Sequence, residues 1–315
     1  MKSRWGIVLL LAPAVLRAQS ANDKDVAVQM RHVDFHVDSS IVLSIEYLRG
    51  ALQPTSPEHS PWFDEKTSFQ IRIDSARIVV APRTLGDLLN RYTFSYAGSP
   101  LRHLELSVEK GQLKQQGTLR GISFTMLGDL TLIPTGELRL HPTSVKAVGI
   151  GVGGLMKFFG LNLEKLVKLR GVRGVRIEKD DFFLDPAALL PPPTAKGKVN
   201  AVQVTDSAIT LTFHPPDSSK VKELDVPNPK ATNYMYYQGN VLRFGKLTMH
   251  DTDLLIEDAN PDDPFDFWLD QYRAQLVAGY SRTRADQGLT VVMQDFSKTP
   301  PLPAKPAGGT QRKRS

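Results

Sequence analysis

The feature that most constrains the fold of this chain is a phrase that recurs five times. Each copy has a run of alternating apolar and polar residues, a short polar break and a second alternating run. Side chains of a β-strand point alternately to its two faces, and Asp and Ser favour tight turns because their side chains hydrogen-bond the nearby backbone. Each phrase therefore predicts two strands joined by a turn. The copies are VDFHVDSSIVLSI at 33, FQIRIDSARIVV at 69, LELSVEKGQLKQQG at 104, VQVTDSAITLTF at 202 and LTMHDTDLLIED at 247.

Strands with one apolar face are typical of an antiparallel sheet that is covered on one side. Residues 101–148 consist almost entirely of such strands, separated by short breaks at glycine and polar residues, which predicts a meander. We therefore expect an α+β fold in which a long, curved, mainly antiparallel β-sheet wraps around one or two amphipathic helices.

Three segments have apolar residues at helical spacing instead. The first, 82–94, begins with Pro82, which the first turn of a helix tolerates. The second is 153–169, and the third, 261–279, opens with acids that suit the positive end of a helix dipole. The apolar faces comprise Leu85, Leu88, Leu89 and Tyr92 in the first helix, Leu155, Phe158, Phe159, Leu163, Leu166 and Val167 in the second, and Phe265, Trp268, Leu269, Tyr272 and Leu276 in the third.

The N-terminal residues have the pattern of a secretory signal peptide. Lys2 and Arg4 precede an apolar run of about a dozen residues, and Ala18 offers a small residue for cleavage. A membrane anchor is the alternative, but the run is shorter than the roughly 20 residues of a spanning helix. We expect an exported protein of the bacterial periplasm or cell envelope. Its predicted parts are a signal peptide at 1–18, a β-rich domain at 24–214, a loop or boundary at 215–233, a C-terminal β/α extension at 234–297 and a disordered, basic, proline-rich tail at 298–315.

The net charge of +6 comes from the two ends of the chain. Eight of the 39 basic residues lie in 1–18 and 298–315, which contain no acid, so the other 31 basic and 33 acidic residues give 19–297 a net charge of −2. Nucleic-acid binding needs Lys and Arg clustered on the folded surface, and we expect no nucleic-acid partner. The chain has no cysteine, which excludes thiol catalysis, thiolate zinc sites and iron–sulfur clusters.

Motifs for nucleophilic or phosphate chemistry are missing from the sequence. It contains neither a Gly-x-Ser-x-Gly elbow nor a Gly-x-x-x-x-Gly-Lys loop. His32 and His36 lie on one face if their strand is regular, and two imidazoles at that spacing could chelate zinc. A solvated strand face explains them equally. We expect no catalytic residue, no cofactor and no metal, with His32 and His36 as the metal candidates.

One acidic stretch resembles a calcium loop. Asp258, Asn260, Asp262 and Asp263 have the right chemistry, but an EF-hand needs glycine at the sixth position and glutamate at the twelfth. The sixth position from Asp258 is Asp263, and the twelfth is Leu269. Acids that open a helix explain the stretch better. Solvated turns likewise explain two further polar groups: Glu178, Asp180 and Asp181, and His250, Asp251 and Asp253.

The helix predicted at 153–169 is basic on one side. Lys157, Lys165, Lys168 and Arg170 lie there or just beyond its end. A basic amphipathic helix can lie against anionic lipid head groups, although an ordinary core helix with a solvated face gives the same pattern. A helix laid into a curved sheet leaves an apolar seam, and such a seam can admit an acyl chain.

Part of the chain resembles a known family. GQLKQQGTLRG, FTMLGDLTLIPTGELRLHPTSVKAVGIGVGGLM, the helix that follows and KGKVNAVQVTDSAITLTF are similar to the LmeA-type family of secreted or envelope phospholipid-binding proteins, which is named for lipomannan elongation and related to tubular lipid-binding folds. The similarity covers roughly 75–214. It implies a lipid-binding fold, and its marks are Gly111, Gly117, Gly128, Pro134, Gly136, Leu138, Pro142, Thr143, Ser144, Val145 and Asp206.

Together these observations predict a non-catalytic envelope protein that binds or carries phospholipid, or a related amphiphile, in an apolar groove. Two alternatives remain: a structural or interaction module whose core is filled by its own side chains, and a hydrolase with an unrecognised site. The predicted lipid contacts are Leu85, Leu88, Leu89, Leu155, Phe158, Phe159, Leu163, Leu166 and Val167. The predicted contacts with an anionic membrane surface are Lys157, Lys165, Lys168 and Arg170.

Overall fold

The computed structural model of the protein describes residues 24–147, 169, 172–214 and 221–300. Strands dominate these residues, and two short α-helices, α1 (Pro82–Leu88) and α2 (Tyr272–Ala278), accompany them. A π-helical turn, Leu89–Thr93, continues α1. The strands are β1 (Val26–His36), β2 (Val42–Pro54), β3 (Phe69–Val80), β4 (Leu101–Glu109), β5 (Gln112–Leu119), β6 (Ile122–Leu132), β7 (Leu138–Ala147), β8 (Val175–Glu178), β9 (Asp181–Leu184), β10 (Thr194–Lys196), β11 (Val199–Val204), β12 (Ile209–Phe213), β13 (Tyr234–Gly239), β14 (Leu242–Phe244), β15 (Leu247–Met249), β16 (Thr252–Asp258), β17 (Phe265–Trp268), β18 (Tyr280–Thr283) and β19 (Leu289–Met293).

The strands form two main sheets and a small ribbon. The large sheet has the order β11-β12-β3-β2-β1-β13-β16-β19-β18, with β10 added beside β3 and β17 beside β1. The second sheet has the order β4-β5-β6-β7-β9-β8, and β14 pairs with β15. Most neighbours are antiparallel; the parallel pairs are β1 with β17, β3 with β10 and β16 with β19. The mainly antiparallel sheet that the sequence predicts is therefore confirmed.

Three of the five repeated phrases form the predicted hairpins, namely β1–β2, β4–β5 and β11–β12. The predicted meander is also confirmed, since β4 to β7 pair consecutively. The phrase at 247 does turn, but β15 pairs with β14 while β16 pairs with β13 and β19, so no hairpin forms.

The hairpin predicted within 69–80 is wrong, because these residues form the single strand β3. Asp74 and Ser75 do not turn the chain there. The carboxylate of Asp74 accepts hydrogen bonds from Arg72 at 2.8 and 3.1 Å, and Ser75 pairs with Arg49 of β2. β3 is central, with β2 on one side and β12 and β10 on the other. β2 pairs with β3 before and after a bulge at Asp74, while β10 pairs with 70–72 and β12 with 76–80, and these pairings on both sides of Asp74 favour a continuous strand over a turn.

The helix predicted at 82–94 is confirmed as α1 and its π-helical turn, but the helix predicted at 261–279 is wrong in its first half. There Phe265 and Phe267 lie in β17, parallel to β1, and both are fully buried. Helical structure is confined to α2. The helix predicted at 153–169 lies outside the described residues except for Leu169, which packs against the main core.

The C-terminal part of the chain continues the large sheet. β13 of the predicted extension pairs directly with β1. Tyr236 and Tyr237 are adjacent in β13 and both are buried, so this strand is covered on both faces. One face contacts the main core, and the other is covered by Leu224, Val226 and Ala231. No helix of the described residues is long and apolar enough to span a membrane.

The two main sheets face one another across the core. Helix α1 joins them, since it follows β3 of the large sheet and precedes β4 of the second. Asn90 fixes this arrangement: its side-chain amide donates to the carbonyl of Leu104 at 2.7 Å and its carbonyl accepts from the Leu104 N–H at 2.8 Å. Buried side chains from both sheets and from α1 belong to one hydrophobic cluster.

Candidate functional site

An apolar cavity lies between the two sheets, beneath α1. Its volume is about 60 Å³. By the measure in which one water molecule needs about 10–15 Å³, this gives room for roughly four to six water-sized groups. The described residues that line it are all apolar: Leu43, Ile73, Ile78, Val80, Leu85, Leu88, Leu138, Leu184, Pro186, Ala187, Leu189, Leu190, Ile209, Leu211 and Phe213.

A second apolar cavity, of about 40 Å³, continues the first along the large sheet. The two share walls at Leu43, Ile73, Ile78 and Leu190. At its other end the second cavity reaches β1 and β10, where its walls include Met30, Phe35, Val37, Pro193 and Ala195. We call the two cavities together the apolar seam.

The structure brings two of the predicted lipid contacts to the apolar seam. Leu85 and Leu88 of α1 line the first cavity. Leu89 instead lines a third cavity of about 10 Å³ between the π-helical turn and the second sheet. Tyr92, assigned by its spacing to the same helix face, is 43% exposed because the π-helical turn changes the residue spacing. The other predicted lipid contacts, Leu155, Phe158, Phe159, Leu163, Leu166 and Val167, lie outside the described residues.

Sequence reasoning missed one wall of the seam, the segment between β9 and β10. Pro186, Ala187, Leu189 and Leu190 all line the first cavity. Asp185 folds this segment, because its carboxylate accepts the N–H groups of Ala187 and Ala188 at 3.1 and 3.2 Å. The signal that could have found it is the apolar run DPAALLPPP at 185–193.

A charged clamp holds the C-terminal end of α1 to the β1–β2 turn. Asp38 Oδ1 accepts the N–H groups of Ser40 and Ile41 at 2.8 and 3.1 Å, and Asp38 Oδ2 accepts the hydroxyl of Tyr92 at 2.8 Å. Arg91 Nη1 completes the clamp. Burial opposes ionisation of Asp38, but these hydrogen bonds and the Arg91 charge prevail and lower the pKa of its carboxyl.

The two histidine metal candidates are not brought together. His32 is exposed, and its backbone has a positive φ of 46°, which departs from regular strand geometry. His36 lies 2.6 Å from Asp266 through Nε2 and stacks on Trp268 at 4.3 Å between ring centroids. Burial opposes ionisation of Asp266, but the hydrogen bond and charge of His36 outweigh it and lower the pKa of that carboxyl. Neither histidine belongs to the group of potential ligands that the described residues form, which is Asp258, Asp263 and Asp295.

The other acidic candidates are ion-paired or lie in turns. Arg176 contacts both Glu137, at 2.8 Å, and Glu178. Asp181 accepts from Arg139 at 2.7 Å and lies 2.6 Å from Nδ1 of His141. The hydrogen bond from Arg176 lowers the pKa of Glu137. Burial opposes ionisation of Asp181, but His141 and Arg139 outweigh it and lower the pKa of that carboxyl. These two carboxylates therefore suit structural ion pairs better than general acids. The predicted membrane contacts Lys157, Lys165, Lys168 and Arg170 lie outside the described residues, as does the predicted signal peptide.

The geometry can therefore enclose an apolar chain, because the described residues that line the seam are all apolar. The chain matches no protein-family model, and neither a curated protein nor a solved structure shows significant similarity to it.

Proposed function

We propose that this protein binds the acyl chain of a phospholipid or a related amphiphile in the apolar seam, as a non-catalytic protein of the cell envelope. The observation that carries the proposal is a pair of adjoining cavities, one between the two sheets and one along the large sheet, whose described lining residues are all apolar. Well-packed cores contain few voids larger than one water molecule. The seam exceeds that size. Leu85 and Leu88, which the sequence predicts to contact lipid, line it.

The size of the seam sets the scale of the interaction. Together the cavities hold about 100 Å³, or roughly seven to ten water-sized groups such as methylenes. Each buried methylene contributes about 0.8 kcal/mol. The gross gain is then roughly 6–8 kcal/mol, which corresponds at best to micromolar affinity. A carrier that must also release its lipid needs affinity of this order.

The export part of the proposal rests on the sequence. Lys2 and Arg4, the apolar run that follows them and Ala18 have the pattern of a cleaved signal peptide. Secretion would place the seam where envelope lipids are available. The similarity of 75–214 to the LmeA-type family supports the same assignment, including a tubular lipid-binding fold.

A second candidate is a structural module with a self-filled core. The observation in its favour is the aromatic packing around Phe63, among residues that do not line the seam. Phe63 contacts the rings of Phe69, Tyr237, Phe244, Phe267 and Tyr272 with centroids 4.9–6.4 Å apart. Aromatic side chains fill that region of the core. If the seam also binds no ligand in solution, the protein is better described as a structural module.

The test is to fill the seam with a larger side chain at one of the residues that line it. Ala187 is buried against the first cavity, so Ala187→Met places three additional heavy atoms there. We expect the variant to keep its fold and to bind a fluorescent sixteen-carbon fatty acid at least tenfold more weakly than the parent. Ala201→Met is the matched control, because Ala201 is exposed on β11; it should bind as the parent does.

Native mass spectrometry of the purified full chain provides the second readout. Co-purified lipid in the parent and its loss in Ala187→Met would support the proposal. A folded Ala187→Met variant with unchanged fatty-acid affinity would refute the seam as the site, and a parent that binds no amphiphile at all would favour the structural module.

A further inference from the structure

Three carboxylates meet at one edge of the large sheet, far in sequence from the apolar seam. Asp258 ends β16, Asp263 lies in the loop before β17, and Asp295 follows β19. One ligand oxygen from each lies within 4.8 Å of those of the other two. The parallel pairing of β16 with β19 explains the meeting, since Asp258 pairs with Met293 and the N–H of Ala259 donates to the carbonyl of Met293 at 2.8 Å.

Two of the oxygens at this edge are buried and have no hydrogen-bond partner among the described residues. Asp295 is only 7% exposed. Its Oδ2 accepts from Lys298 Nζ at 2.6 Å, but its Oδ1 has no hydrogen bond. Asp258 repeats the pattern, because Oδ1 accepts the N–H of Asn260 at 3.0 Å and Oδ2 is buried with no hydrogen bond. Buried carboxylate oxygens without a donor are unfavourable, so something at this edge must satisfy them.

Hydrogen bonds in the loop between β16 and β17 hold the carboxylates close together. The side-chain amide of Asn260 donates to Asp263, while its backbone N–H donates to Asp258. Asn233 donates to the carbonyls of Pro261 and Asp263 and so fixes the same loop to the start of β13. Three acids are thereby gathered at one edge of the sheet, and the ammonium group of Lys298 contacts one of them, Asp295.

We propose that Asp258, Asp263 and Asp295 bind one calcium ion. Carboxylate oxygens are the ligands that hard cations prefer, and the absence of nitrogen or sulfur donors disfavours zinc. Calcium accepts six to eight oxygens in irregular geometry and completes its shell with water, whereas magnesium demands a near-ideal octahedron. Asp263 is exposed, so water reaches this side of the group. In the absence of calcium, the ammonium group of Lys298 contacts Asp295.

The experiment is a calcium titration of the full chain by isothermal titration calorimetry after dialysis against EDTA. We expect one calcium per chain with a Kd on the order of 10⁻⁴ M, as in extracellular modules with few protein ligands, and weaker binding of magnesium. Saturating calcium should also raise the Tm by about 2–5 °C. No detectable calcium binding by the folded parent at millimolar calcium would overturn the proposal.

Two variants distinguish a specific calcium site from diffuse attraction of calcium to acidic residues. Asp295→Asn should weaken calcium binding at least tenfold without lowering the Tm in EDTA, because it removes repulsion as well as a ligand. Asp262→Asn removes one charge from the same loop but no member of the group, and it should change the Kd less than twofold. Equal losses in these two variants would indicate diffuse attraction and contradict the site.

Lys298→Met tests the competing cation. If Lys298 substitutes for calcium, its removal should tighten calcium binding several-fold and make the Tm more calcium-dependent. If Lys298 is the permanent partner of Asp295, the variant should lose stability that calcium does not restore, which would count against the proposal.

Discussion

Arg91 Nη1 lies 3.0 Å from Oδ1 of Asp38, so a residue of the π-helical turn is bound to the turn between β1 and β2. The same carboxylate accepts the hydroxyl of Tyr92. These contacts cross more than fifty positions of sequence and hold α1, with Leu85 and Leu88, against the seam.

Neutralising Asp38 should destabilise the protein in a pH-dependent way. At pH 7 we expect Asp38→Asn to lower the free energy of unfolding by about 1–3 kcal/mol, because hydrogen bonds to a charged group are lost. The folded-state pKa of Asp38 is lowered, so its contribution is present above the ordinary pKa near 3.9 and is lost as the pH falls through the folded value. Urea unfolding at pH 7 and pH 3 should show the difference between parent and variant shrinking at pH 3. A difference that stays constant would show that the ionised carboxylate is not responsible.

Truncating the side chain of Leu88, which lines the seam, should lower the free energy of unfolding and enlarge the cavity. Leu88 is 4% exposed, and Leu88→Ala should lower the free energy of unfolding by about 2–5 kcal/mol in lipid-free protein. Leu247→Ala is the control, because Leu247 is 42% exposed and its truncation should cost less than about 0.5 kcal/mol. If the seam binds acyl chains, the variant should also shift its preference among fatty acids towards longer chains. An unchanged preference would argue against Leu88 as part of the lipid site.

Gly50 should not tolerate any side chain. A Cβ at this position would lie 2.0 Å from the carbonyl oxygen of Arg72, where β2 and β3 change register. Because that oxygen belongs to backbone in the middle of the sheet, Gly50→Ala should cost about 3 kcal/mol or more or prevent folding. Gly111→Ala is a milder comparison: its Cβ meets nothing within 4 Å, and the cost is the roughly 1–2 kcal/mol of a left-handed backbone. Thermal unfolding of both variants would check the ranking, which would be refuted by equal losses.

The hydroxyl of Tyr272 joins α2 to two distant loops. It accepts the N–H of Gly245 at 2.8 Å and donates to Asp64. Tyr272→Phe should therefore lower the free energy of unfolding by about 1–3 kcal/mol, because it leaves that N–H without its acceptor. Tyr280→Phe, at an exposed tyrosine, should leave stability unchanged within about 0.5 kcal/mol. Chemical denaturation of the two variants measures the difference in their free energies of unfolding. An unchanged free energy of unfolding in Tyr272→Phe would show that water replaces the hydroxyl.

The sequence alone determined the local elements. The hairpins at 33, 104 and 202 follow from alternation on both sides of a polar turn, and α1 follows from Pro82 and the leucine spacing after it. These signals are local because a strand's faces and a turn's hydrogen bonds involve residues only a few positions apart. They were sufficient for the mainly antiparallel sheet and for two residues of the seam, Leu85 and Leu88.

Only the tertiary structure decided which partners the segments take. In 261–279, the spacing of Phe265, Phe267 and Leu269 also satisfies a strand, and pairing with β1 selected that reading. Asp74 and Ser75 stay within one strand because β2 pairs with Ile73 and Ser75 around the bulge at Asp74, and β10 and β12 pair with the two ends of β3. His36 meets Asp266 because β17 pairs with β1. Asp295 joins Asp258 only because β16 and β19 are parallel neighbours, so no spacing within one segment could have revealed that group. Non-local pairing settled each case, since backbone hydrogen bonds and buried area across a sheet outweigh local preference.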